Sequence, residues 1–85
     1  MFINKAADGR NNICGPRIAT ARKEQKLSQR MLADRLQLLG LDVDKNAVQR
    51  IEAGLRFVTD IELVALSQAL NLSFEILLAS SKTEP

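Results

Sequence analysis

From Gly15 onward the apolar residues recur at intervals of three and four, the period of an α-helix with one buried face. Gly15-Pro16 reads as a helix start, because proline at the first helical position gives up only an N–H that has no partner there. Ile18, Ala21 and Gln25 then share a face. Ser28 is a good N-cap for a second helix that turns Leu32, Leu36 and Leu39 inward, with Met31 and Ala33 beside them, and Gly40 stops it. A third helix starts after Asp44, with Val43 and Val48 at the spacing of a hydrophobic staple. Ile51 continues its inward stripe, and Gly54 ends it. Thr59 to Glu62 is a capping box, and the helix it opens carries Leu63, Leu66, Ala69 and Leu70 inward. Ser73 caps a short fifth helix whose apolar side is Phe74, Leu77 and Leu78. The pattern predicts helices near 16–26, 28–39, 45–53, 60–71 and 74–79.

No strand-period alternation persists and no internal repeat occurs, so the expected fold is an all-α, compact five-helix bundle. Residues 1–14 hold Asn4, Asp8, Gly9, Asn11 and Asn12 without periodicity and read as a flexible N-terminal arm; 80–85 reads as a frayed tail. Residues 15–79 form the single domain that 85 residues allow.

Composition narrows the chemistry. The chain has one cysteine, Cys14, and no histidine, which leaves no His/Cys zinc site, Ser-His-Asp triad or imidazole acid/base. Asp42 and Asp44 read as turn and cap residues rather than a metal pair. The expectation is no enzyme, no metal, no cofactor and no small-molecule effector. Unbroken apolar runs reach only four residues, as in 63–66 and 76–79, so the chain reads as cytoplasmic, with no signal peptide and no membrane span. Charge is uneven: residues 15–56 hold nine bases against five acids, and 57–85 hold Lys82 against four acids. That places a polyanion-facing side in the first part of the chain.

Leu27, Ser28, Gln29, Leu32, Ala33, Leu36, Val48, Ile51, Glu52 and Gly54 form a linked pattern. On these residues the chain resembles the phage repressor and Cro family, the XRE-like, lambda-repressor-like helix-turn-helix domains. Leu63, Leu66, Ala69, Leu70, Leu72, Leu77 and Leu78 are similar to that family's last two helices. The resemblance implies a helix-turn-helix in helices two and three, double-stranded DNA as partner, and transcription regulation by a repressor. It also implies an ion pair between Arg22 and Glu52. The chain departs from the pattern by a roughly five-residue insertion between Leu36 and Val48, about one helical turn of it read as an extension of helix two. It departs again at Lys26, which stands at a usual glycine and suggests a more helical first turn.

The third helix leaves Lys45, Asn46, Gln49 and Arg50 opposite its inward Ala47, Val48 and Ile51. These four side-chain types can donate to or bridge base edges in the major groove; a surface helix with no ligand would also carry a solvated polar face. Taken with the resemblance, they are expected to read DNA bases. Gln29, Arg30 and Arg56 are expected phosphate contacts; Gln29 sits where the amide and the helix N-terminus can hold an anion. A homodimer through helices four and five is expected from Leu63, Val64, Leu72, Phe74, Ile76, Leu77 and Leu78, too many to hide in so small a fold. The competing expectation is a protein-interaction module on the same scaffold, an antitoxin or a bridging factor, which the low net charge and Asp44 favour.

Overall fold

A computed structural model describes residues 5–6 and 8–79. The chain forms α1 (Gly15–Glu24), α2 (Gln29–Leu38), α3 (Lys45–Glu52), α4 (Asp60–Leu70) and α5 (Phe74–Leu77), with no strand among the described residues. The expected five-helix, all-α architecture is therefore the observed one. The tail expected over 80–85 and the first residues of the expected arm lie outside the described residues.

An N-cap side chain starts four of the five helices. The Ser28 hydroxyl accepts from Met31 N–H, Asp44 Oδ1 from Ala47 N–H at 2.8 Å, and the Ser73 hydroxyl from Ile76 N–H. Thr59 and Glu62 exchange the two bonds of a capping box. Such caps are worth roughly 1 kcal/mol each, because the first four N–H groups of a helix lack intrahelical acceptors. Ile18, Leu32, Leu36, Ile51, Leu66, Leu70, Leu77 and Val48 are fully buried and make one core with Cys14 among them. Burying a large aliphatic side chain stabilises by roughly 1.5–3 kcal/mol. Two polar side chains lock the far end: Gln25 Nε2 donates to Leu70 O and Arg35 Nη1 to Ala69 O, which supplies the C-terminal carbonyls of α4 with partners.

Helix ends correct several sequence expectations. Four helices close with the same pair of bonds, one spanning five residues and one spanning three, around a residue in the left-handed region. That residue is Lys26 (φ 60°), Gly40, Gly54 and Asn71 in turn. Lys26 does not make the first turn more helical: α1 ends at Glu24, short of the expected 26, and Lys26 takes up the conformation a glycine would adopt. Leu27, buried beneath it, forces that sharp reversal.

The insertion adds only Gln37 and Leu38 to α2; Leu39 and Gly40 turn the chain, and 41–44 run as a link without helix. Gln37 Nε2 donates to Val43 O at 2.7 Å and pins that link. Val43 and Val48 are both buried, as a hydrophobic staple requires.

Residues 10–14 also differ from expectation. They are not a loose arm, because Asn12 and Cys14 are buried and the segment is hydrogen-bonded to the end of α3. Unpaired carbonyls at that helix end give the segment its partners.

Candidate nucleic-acid interface

Helix α3 is two turns long and has two distinct sides. Ala47, Val48 and Ile51 are buried, while Lys45, Asn46, Gln49 and Arg50 are exposed. Residues 45 and 49, and 46 and 50, are each four apart, so the exposed side chains make two adjacent rows along the helix. The two earlier residues lie at the N-terminal end, where Asp44 caps the helix and adds a carboxylate to the same edge.

Glu52, at the last turn of α3, receives three charge-assisted bonds. Arg22 donates from Nε to Oε2 (2.7 Å) and from Nη2 to Oε1 (3.1 Å); Gln29 Nε2 donates to Oε1 at 3.0 Å. Arg22 Nη1 also donates to Leu27 O at 2.8 Å. The Arg22 and Glu52 side chains are only 11% and 8% exposed. This cluster fastens α1 and the start of α2 to the end of α3.

The expected phosphate contacts are placed unequally. Arg30 is exposed on the first turn of α2, and its side chain makes no hydrogen bond or ion pair among the described residues. Gln29 is half-buried with one amide hydrogen given to Glu52, leaving the other and its oxygen. Arg56 is half-buried, and its Nη1 donates to both Glu62 oxygens at 3.0 Å, joining the α3–α4 loop to α4. Gln29 and Arg56 thus serve the scaffold whatever else they touch.

One group of residues escaped the sequence reading. Asn12 Nδ2 donates to Ile51 O (3.0 Å) and Arg56 O (2.8 Å), while Asn12 Oδ1 accepts from Gly15 N–H. Asn11 donates from its backbone to Gly54 O and from Nδ2 to Leu55 O. Arg10 Nη2 donates to Glu52 O at 2.6 Å, and its positive charge suits the negative end of the α3 dipole. The close approach needs glycine twice. A Cβ at Gly15 would meet Ile51 O, and one at Gly54 would meet the Arg10 side chain. Two asparagines ahead of a Gly-Pro helix start are the visible signal, but their acceptors lie about forty residues away and leave no trace in the local pattern.

Cys14 sits at this junction. Burial pushes its thiol pKa up, opposed by a backbone hydrogen bond at Cys14 and by the charge of Arg10, and reinforced by Glu62. A protonated, buried thiol is a packing group. Among the described residues there is no cluster of metal-ligating side chains and no helix long and apolar enough to cross a membrane.

Searches of curated proteins and of solved structures returned no match to this chain. A family model described as helix-turn-helix matches residues 18–77, which takes in most of α1, all of α2, α3 and α4, and α5. With that match spanning the bundle and α3 exposing its polar rows, the chain belongs to the XRE-like helix-turn-helix family of DNA-binding transcription regulators.

Proposed function

We propose that this protein is a cytoplasmic, sequence-specific repressor that binds double-stranded DNA as a homodimer, with α3 as the reading helix. The observation that carries the proposal is the division of α3: three buried side chains hold it, and Lys45, Asn46, Gln49 and Arg50 stand exposed together. Gln49 and Arg50 would read bases and Lys45 and Asn46 would read or flank them, since each such side chain can bridge base edges. Arg30, the remaining capacity of Gln29 and the free first-turn N–H groups of α2 suit phosphates, with Arg56 as a further contact beside its Glu62 pair. With no effector site proposed, control would come from protein level or a protein partner.

For the dimer, the apolar residues open to a second copy are Ile61 and Val64 on α4 and Phe74, Ile76 and Leu78 at α5. Leu77 is buried and Leu63 and Leu72 pack on the core, so these three leave the expected contact set. A two-fold dimer would match two half-sites about one DNA turn apart.

Selection of bound duplexes from a random pool tests this, followed by titration of the selected site, single-base variants and unrelated DNA over a range of salt. Gln49→Ala and Arg50→Ala should flatten preference at particular positions by roughly 1–3 kcal/mol. If alanine variants at all four positions keep the wild-type ranking of duplexes, α3 is not the reader. The interaction-module reading draws on Leu55, Phe57 and Ile61, which are exposed just after α3, and on Asp44 at its start. The absence of salt-dependent binding to duplex DNA would favour it, because a protein that contacts phosphates loses affinity steeply as salt rises.

A further inference from the structure

The end of α3 is held by a segment that the helix-turn-helix match, beginning at residue 18, does not include. Arg10, Asn11 and Asn12 donate to five carbonyls, those of Ile51, Glu52, Gly54, Leu55 and Arg56. Asn12 uses its whole amide: both hydrogens go to the α3 end, and its oxygen takes the first N–H of α1. It is 8% exposed, so these bonds form away from competing water. The Arg10 side chain lies over Gly54, and Gly15 lets the two helix ends meet. Asn12 therefore acts as a bolt between the start of α1 and the end of α3.

We infer that Asn12, supported by Arg10, is a positioning residue for DNA recognition: it fixes the tilt of α3 and thereby sets discrimination between sequences. The inference rests on α3 being the reader. Asn46 lies about 9 Å along the helix from Glu52, so a tilt of about 10° about that end moves its side chain by about 1.6 Å. Base hydrogen bonds tolerate only about 0.5 Å in donor–acceptor distance. Arg30 makes no side-chain bond to this junction, whereas Gln29 and Arg56 touch it through Glu52 and the Arg56 carbonyl. Losing the bolt should therefore weaken binding to the selected site more than binding to unrelated DNA.

The experiment measures the ratio of affinities for the selected duplex and an unrelated one, at a temperature where every variant is folded by circular dichroism. The proteins are the full-length wild type, Asn12→Ala, the milder Arg10→Ala, and Leu70→Val as a control destabilised in the core at the end of α4, a helix that packs chiefly on α1, α2 and α5. The ratio should fall about tenfold in Asn12→Ala, the equivalent of one good base contact, less in Arg10→Ala, and not in Leu70→Val. Should Asn12→Ala not fold, Arg10→Ala carries the test by the same criterion. A ratio that both variants keep within about twofold of wild type, or that Leu70→Val lowers equally, overturns the inference while leaving the DNA reading in place. A wild type without preference among duplexes overturns the DNA reading, and this inference with it.

Discussion

Removing Arg22 should expose how much of the fold depends on one nearly buried ion pair. The guanidinium makes three hydrogen bonds, two to Glu52 and one to Leu27 O, and both charged side chains keep about a tenth of their surface. In Arg22→Ala the Glu52 carboxylate retains only the Gln29 amide as a side-chain donor, and Leu27 O loses its side-chain partner. Breaking one side of a buried pair costs about 3–5 kcal/mol; the residual solvent access argues for about 3. For a domain of this size that corresponds to a fall in Tm of about 12–24 °C. Glu52→Ala should lose about 2 kcal/mol, since Arg22 keeps Leu27 O and its aliphatic stem can still pack. The double variant should lose about 3 rather than 5 kcal/mol, a coupling of about 2. Urea denaturation of the four proteins, followed by far-ultraviolet circular dichroism, measures each loss. Losses that add to within about 0.5 kcal/mol would mean the two side chains do not stabilise through each other, whatever their separation.

Three further outcomes follow from single positions. Lys26→Gly should raise stability by about 0.5 kcal/mol, because relief of the left-handed strain outweighs glycine's extra freedom in the unfolded chain; an unchanged or lower denaturation midpoint would contradict a strained Lys26. Arg30→Ala should weaken all duplexes alike and reduce the salt slope by about one with no change in melting, whereas Arg56→Ala should in addition lose up to about 1 kcal/mol with its Glu62 pair; equal melting of the two variants would refute that difference. The folded state keeps the Cys14 proton that the unfolded chain releases, so stability should fall as pH rises past the ordinary thiol range, and alkylation near pH 8 should be slow until the protein unfolds; labelling at the rate of a free thiol would refute it.

Much was legible in the chain alone. The number and type of the helices, the caps at Ser28, Asp44, Thr59 and Ser73, and the inward faces of α3 and α4 all follow from the sequence. These are properties of neighbours three and four residues apart, and helical geometry turns such spacings into contacts without reference to the rest of the fold. The division of α3 into a core side and an exposed polar side is of that kind.

Tertiary structure decided what spacing does not encode. Residues 10–12 have no period, and their acceptors are carbonyls of a helix end some forty residues on, so only the packed fold turns them from an apparent arm into a bolt. Gln29 and Arg56 look like surface donors until Glu52 and Glu62 are brought against them. Leu77 goes inside and Leu78 out because α5 is a single turn laid on α1 and α4. Lys26 stays in a glycine conformation because burying Leu27 outweighs the strain of the turn before it. Local hydrogen bonds and periodicity set which helices form; long-range burial and the unpaired groups at helix ends set how those helices are aimed.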